Sequence, residues 1–199
     1  MEEKTRQRLG WLLGCLLLAF ALAVYGHQAW RGEWDPAYSL PMELCDWVLA
    51  ACCLTLWRPN RTAAELAYFW GSAGTLQAVL TPGLSGGFPS WAFLAFFWGH
   101  GAVLLAIVHI LAVQRYRPGP GSIRRMMIAL NFYGLAALSV DLAFGWNYGY
   151  LMRKPPGPSL LDLFGPWPWY LAAIELFGLA SFFLLDRLGR RLPRDRRRD

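Results

Sequence analysis

Residues 41–57 read Pro41-Met42-Glu43-Leu44-Cys45-Asp46-Trp47-Val48-Leu49-Ala50-Ala51-Cys52-Cys53-Leu54-Thr55-Leu56-Trp57. Two acids near its start, and a length below the ~20 residues that cross a hydrocarbon core as a helix, would hide this stretch from a hydropathy scan. It lies, however, between two strongly apolar stretches, residues 9–28 and 63–81. Discarding it would join them by a structureless connection of a length that compact proteins seldom use. Read as a helix, it is the second of six apolar stretches, the later ones being 91–114, 126–146 and 168–187. The expected fold is an all-α integral membrane bundle of six transmembrane helices forming one domain over residues 1–199.

Composition agrees. The chain of 199 residues is 56% hydrophobic and 16% charged, with a mean hydropathy of +0.29. A soluble domain carries about a quarter charged residues, and one this apolar would present large greasy patches to water. The apolar fraction excludes disorder, and four Cys in a chain this long exclude a disulfide-stapled miniprotein. Of the eleven Trp, Trp11, Trp30, Trp34, Trp57, Trp91, Trp146, Trp167 and Trp169 fall near expected membrane surfaces, where an amphipathic indole is favoured. Trp47, Trp70 and Trp98 fall deeper and read as packing residues.

Charge sets the orientation. With the N-terminus in the cytoplasm, Lys4, Arg6, Arg8, Arg58, Arg61, Arg115, Arg117, Arg124, Arg125, Arg187, Arg190, Arg191, Arg194, Arg196, Arg197 and Arg198 all lie inside. Only Arg31, Arg153 and Lys154 lie outside, so the split is sixteen to three of nineteen. A cytoplasmic excess of Lys and Arg is the usual orienting signal. The expectation is a multi-pass protein of the cell membrane with both termini cytoplasmic. Residues 9–28 read as an uncleaved anchor helix, although Ala21-Leu22-Ala23 resembles a signal-peptide cleavage site. Leu12-Leu13-Gly14-Cys15 resembles a lipoprotein box, but the apolar run follows its Cys. The Arg-rich tail follows the last helix directly and reads as an orientation signal touching anionic lipid, with no nucleic-acid partner expected.

Ionisable groups are costly in a bilayer and tend to face the bundle interior, where they often mark function. On this topology Glu43, Cys45, Asp46, Gln77, His100, Asp141 and Glu175 converge on the outer half of the bilayer, with Glu65, His109 and Asn131 on the inner side. Three- and four-residue steps give inward stripes: Trp70, Gly74, Gln77 and Thr81 on the third helix; Asn131, Gly134, Leu138, Asp141 and Gly145 on the fifth; Glu175, Gly178 and Ser181 on the sixth. Each such residue also fits a plain role as polar glue between helices.

Cys45 and His100 are the most reactive pair available, since a thiol becomes a nucleophile when an imidazole takes its proton. Cys15, Cys52 and Cys53 read as buried structural thiols. The spacing of three His and four Cys gives no metal set, and no cofactor is expected. The last outer loop contains Ser159-Leu160-Leu161-Asp162, a helix-start pattern, and Gly165-Pro166, which ends the helix. Its apolar residues predict a short interfacial helix roofing the polar cluster, with Arg153 and Lys154 near lipid phosphates. An anchor without chemistry fits the same composition.

The sequence resembles the YwaF-like family of integral membrane proteins, which includes the transmembrane protein 164 branch of eukaryotes. The matching stretches are Leu40-Pro41-Met42-Glu43-Leu44-Cys45-Asp46; Phe69-Trp70-Gly71 through Gly74-Thr75-Leu76-Gln77 to Leu80-Thr81-Pro82; Phe88-Pro89 with Gly99-His100-Gly101; and Asn147-Tyr148 through Lys154-Pro155 to Ser159-Leu160-Leu161-Asp162 and Gly165-Pro166-Trp167-Pro168-Trp169-Tyr170. Bacterial members mostly lack an assigned activity, whereas the eukaryotic branch is described as a phospholipid acyltransferase using a Cys and a His. The resemblance places those roles on Cys45 and His100. Glu43 departs from the His or Gln usual in the family, and a further helix that usually precedes the equivalent of residues 9–28 is not seen.

Two functions are therefore expected to compete. In the first, a lipid-modifying acyltransferase works from the outer leaflet on membrane lipids. Cys45 is its nucleophile, His100 its base and then acid, and Asp141 or Asp46 orients the imidazole. Gln77 or Asn147 donates to the oxyanion, and Asp46, Gln77, Asn147, Tyr148, Lys154, Asp162, Trp167 and Glu175 contact substrate. In the second, the chain is a non-enzymatic binding or transport subunit, similar to the substrate-capturing subunits of vitamin uptake systems. Asp141, Glu175 and His100 then hold a polar ligand and Cys45 is incidental. A structural membrane protein is the third and plainest reading.

Overall fold

A computed structural model describes residues 3–84, 86–157 and 159–192. Arg194, Arg196, Arg197 and Arg198 of the tail lie outside the described residues. Each of the six apolar stretches is helical, and the described residues contain no strand. Helix α1 (Glu3–Trp30) is followed by a single turn α2 (Pro36–Ser39) and then α3 (Leu44–Trp57). Helix α4 (Arg61–Trp70) continues through a π-turn (Gly71–Thr75) into α5 (Leu76–Leu80) as one helical rod. Helices α6 (Trp91–Ala112), α7 (Ser122–Phe144) and α8 (Trp169–Arg191) complete the bundle. Three of these, Lys4–Trp30, Trp91–Ala112 and Ser122–Phe144, are long and apolar enough to cross a membrane, and Leu44–Trp57 is a shorter apolar helix.

The boundaries follow from local chemistry. Asp46 Oδ2 accepts the Glu43 N–H at 3.0 Å, occupying a donor at the start of α3. Pro59 cannot continue that helix, and Asn60 Oδ1 then accepts from Ala63 N at 3.0 Å to open α4. Ser90 Oγ accepts from Phe93 N at 3.3 Å at the start of α6. Gly145, in the left-handed region at φ +73°, closes α7 by donating to the Asp141 carbonyl.

Helix α3 is the centre of the packing, against α1, α4 and α6. Its Val48, Ala51, Cys52, Cys53 and Leu56 form one buried core with Leu17, Ala67, Phe69, Trp70, Ala106, Ile107 and Ile110. Gly14 lets α1 approach: a Cβ there would sit 2.6 Å from Trp57 Nε1. Helices α7 and α8 close the other side, Tyr68 Oη donating to the Leu185 carbonyl at 2.8 Å.

Several sequence expectations need correction. Among the three deep tryptophans only Trp70 is buried, its Nε1 donating to the Met126 carbonyl at 3.3 Å. Trp98 is largely exposed, and Trp47 is half-exposed, with one edge against Tyr133. Cys52 and Cys53 are buried, but Cys15 is exposed. On α7 the inward face carries Met126, Leu130, Tyr133, Ala137 and Asp141. It is rotated from the expected small-residue stripe, leaving Asn131 exposed. Large side chains set this rotation, as the Tyr133 ring packs 5.9 Å from that of Trp70 and 6.3 Å from that of Trp47.

The two ends of the bundle differ. One end is held by Glu65, fully buried on α4. Arg125 grips its carboxylate through Nε at 2.8 Å and Nη2 at 2.6 Å, and Ser122 Oγ donates at 2.9 Å. Arg190 from α8 reaches the Gly119 carbonyl in the same region at 3.1 Å. The other end carries the 31–43 connection and the long 145–168 loop, and there the cavity begins.

Candidate functional site

A cavity of about 490 Å³ is lined by α3, the α4–α5 rod, α6, α7, α8 and the 145–168 loop, a size that suits small-molecule sites. Its polar lining includes Glu43, Cys45, Thr75, Gln77, Thr81, His100, Tyr150 and Ser159. Its apolar lining includes Trp70, Leu130, Ile174, Phe177 and Phe182. Phe182 lies thirteen residues into α8, about 20 Å from its start at 1.5 Å per residue. The cavity therefore joins a few polar groups to a largely apolar lining that extends along α8.

Cys45 sits in the first turn of α3 and is half-buried. Its neighbours in the chain are held firmly. The Asp46 carboxylate takes the Tyr25 hydroxyl from α1 at 3.0 Å on Oδ1 and the Glu43 N–H on Oδ2. Glu43 Oε2 accepts from Gly149 N at 3.1 Å. His100, on α6, places Nδ1 2.8 Å from the Phe96 carbonyl and stacks its ring on Phe96 at 4.0 Å. A carbonyl oxygen only accepts, so Nδ1 carries the proton and Nε2 keeps its lone pair. That lone pair is the basic position of the ring.

Of the residues expected at the site from sequence, Cys45, His100 and Gln77 line the cavity, Gln77 Nε2 donating to Thr81 Oγ1 at 2.6 Å. The others are absent from the lining and build its surroundings. Asp141 is fully buried and accepts Tyr148 N at 2.8 Å on Oδ1, while its Oδ2 has no partner among the described residues. The His100 imidazole is thus oriented by the Phe96 carbonyl, and neither Asp141 nor Asp46 reaches it in the described contacts. Tyr148 donates to the Pro36 carbonyl at 2.5 Å and accepts from Leu40 N at 3.1 Å, tying the long loop to the segment that enters α3. Burial, reinforced by the nearby Glu43 carboxyl, raises the phenols of Tyr148 and Tyr150 above their ordinary range, so both remain O–H donors.

Asn147 closes its own loop, donating to the Arg153 carbonyl at 2.9 Å and accepting from Met152 N and Arg153 N at 3.0 Å. Lys154 pairs with Asp162 at 3.7 Å and lies 5.7 Å from the Tyr170 ring centre. Trp167 Nε1 donates to the Leu151 carbonyl at 3.1 Å. Glu175 accepts from Asn131 at 2.6 Å and is not part of the lining. The expected short helix in this loop is a 3₁₀ segment, Leu160–Phe164. Asp162 Oδ2 accepts from Ser159 N at 2.8 Å at its start, and its Leu160 and Leu161 close over the cavity. Sequence reasoning missed Thr75, which lines the cavity from the π-turn. It also missed the apolar wall of Ile174, Phe177 and Phe182.

Comparison with curated proteins and with solved structures returns no match. The model of the TMEM164 family matches residues 1–186, nearly the whole chain. With its apolar helices and its long loop folded over a cavity, the chain belongs to the TMEM164 family of membrane proteins.

Proposed function

We propose that this protein is a six-span membrane enzyme that transfers acyl groups between lipids through a thioester on Cys45. The observation that carries the reading is the joint presence of a thiol and an imidazole in the lining of one cavity whose remaining lining is largely apolar. A fatty acyl ester has this same division, a polar carbonyl joined to a hydrocarbon chain. Ile174, Phe177 and Phe182 suit the chain, and Cys45, His100 and Gln77 suit the carbonyl.

The chemistry follows from the positions. Glu43 and Asp46 flank Cys45, and carboxyl groups do not activate a thiol, so a base must take its proton as it attacks. His100 Nε2 serves as that base. The sulfur adds to the ester carbonyl while its proton passes to Nε2, giving a tetrahedral oxyanion. The intermediate collapses to the thioester, and the departing lipid oxygen takes the proton from His100. An acceptor hydroxyl then attacks the thioester carbonyl, its proton moving to Nε2 and finally to the Cys45 sulfur as it leaves. Asp141, Tyr148 and Glu43 act as positioning residues, because their contacts fix the segment leading into Cys45.

The same reading puts both termini in the cytoplasm. The end of the bundle formed by Arg58, Arg61, Arg124, Arg125, Arg187 and Arg190 is the basic one, so the Cys45 end opens toward the outer leaflet. The test is labelling of the full chain in detergent with a p-nitrophenyl ester of an alkyne-bearing fatty acid. Wild type is expected to acquire a hydroxylamine-sensitive label that Cys45→Ala lacks. Equal labelling of the two removes Cys45 from the reaction.

A further inference from the structure

Four hydroxyl side chains on the helices or at their ends bond back along the same helix. Thr55 donates to the Ala51 carbonyl at 2.8 Å, Thr81 to Gln77 at 3.2 Å, Ser139 to Leu135 at 2.7 Å and Ser181 to Phe177 at 2.8 Å. Each bond runs back four residues, the usual outlet for Ser and Thr in an α-helix. Thr75 departs from the pattern. Its residue is 3% exposed, and its Oγ1 is buried with no hydrogen-bond partner among the described residues. Thr75 is also the last residue of the π-turn at Gly71–Thr75, where the backbone ladder shifts from four residues back to five.

A buried hydroxyl without a partner is costly, and such groups call for an explanation. Thr75 lines the same cavity as Cys45, His100 and Gln77. Isolated π-turns also concentrate at functional sites. Resting on the acyl-transfer reading above, we propose that Thr75 Oγ–H is the hydrogen-bond donor to the carbonyl oxygen of the acyl group, and to the oxyanion formed when Cys45 attacks. The hydroxyl breaks no bond to its own helix when the Thr75 side chain turns toward the cavity it lines, so its donor is available to a ligand oxygen there. The ligand class is an acyl ester or thioester, whose carbonyl oxygen accepts. Gln77, already engaged with Thr81 through one N–H, has its second N–H for the same oxygen.

The experiment measures the rate at which Cys45 of the full-length chain in detergent is modified by two probes of equal chain length. One is the p-nitrophenyl fatty ester, whose attack passes through a tetrahedral oxyanion. The other is an N-alkyl iodoacetamide, which alkylates the sulfur by displacement of iodide with no oxyanion. Thr75→Val, equal in shape and lacking the hydroxyl, is expected to slow acylation about 100-fold and to leave alkylation within about twofold. Thr75→Ser is expected to restore most of the acylation rate. Unchanged acylation in Thr75→Val overturns the assignment to Thr75 and leaves the role of Cys45 intact. Equal slowing with both probes also overturns it, since a general loosening of the cavity would do that. If wild type is alkylated at Cys45 but never acylated, the acyl-transfer reading itself fails and takes this inference with it.

Discussion

The Phe96 carbonyl oxygen lies 2.8 Å from Nδ1 of His100, and the Phe96 ring stacks on the imidazole at 4.0 Å, so one residue fixes both the tautomer and the plane of the ring. No acid is needed for this orientation. Because the backbone supplies the hydrogen bond, the side chain of residue 96 contributes only the stacking surface. Phe96→Leu is therefore expected to lower the rate of Cys45 acylation less than about tenfold. His100→Gln, which loses the proton acceptor, should lower it by about 100- to 1,000-fold. Single-turnover labelling with the fatty ester measures both, and a larger loss in Phe96→Leu than in His100→Gln would contradict the assignment.

Asp141 differs from an acid that relays protons. One of its oxygens accepts the Tyr148 N–H at 2.8 Å, and the other is buried with no partner among the described residues. Asp141→Asn keeps the accepting oxygen and removes a carboxyl group that burial disfavours, so its melting temperature in detergent is expected to match or exceed that of wild type. Asp141→Leu strands the Tyr148 N–H and is expected to cost about 1–3 kcal/mol. It should also slow acylation, because the loop it releases holds Glu43 and the entry to α3. Loss of acylation in Asp141→Asn with unchanged stability would instead make Asp141 a catalytic acid.

These contacts show where the sequence was informative. Six helices were legible because apolar runs are bounded by Pro, Gly and capping residues such as Asn60 and Ser90. Counting residues along those helices put Cys45, His100 and Gln77 in the same half of the bundle, and all three line one cavity. Partner choice was less legible. Asp46 meets Tyr25 and Asp141 meets the backbone of Tyr148, and neither of these partners has a sequence signature. The face of α7 was misassigned because small residues suggested close packing, whereas Tyr133 and Leu130 set its rotation. Thr75 was invisible for a geometric reason. A 3.6-residue repeat assumes an unbroken α-helix, and the π-turn breaks that register.

The Glu65–Arg125 pair is asymmetric. Glu65 is fully buried, while the Arg125 side chain is 40% exposed. Removing the arginine leaves a carboxylate sealed in the bundle with Ser122 and a more distant Arg61 for company. Removing the carboxylate leaves a cation free to turn toward water. Arg125→Met is accordingly expected to strand Glu65 at a cost of about 3 kcal/mol, and Glu65→Gln to cost clearly less. The double variant should lie nearer to Glu65→Gln than to the sum of the two, which thermal melting in detergent tests directly.

Gly71 opens the π-turn at a point where α3 and α6 close in. A Cβ there would lie 2.5 Å from Ile107 Cδ1 and 2.9 Å from Val48 Cγ1. The end of the Ile107 side chain can swing away, but Val48 is β-branched on a helix and has one strongly preferred rotamer. It also forms part of the cavity wall. Gly71→Ala is thus expected to cost about 1–2 kcal/mol and to slow acylation by displacing that wall. Ile107→Val removes Cδ1, the nearer of the two atoms. The double variant Gly71→Ala/Ile107→Val should recover part of the loss, so the two substitutions combine to less than their sum. Val48→Ala, relieving the second contact, should recover the acylation rate more than the stability, because it clears the cavity side while leaving a smaller core residue behind. Purely additive melting temperatures in both pairs would mean that the strain at Gly71 is borne by the π-turn backbone instead of by its neighbours.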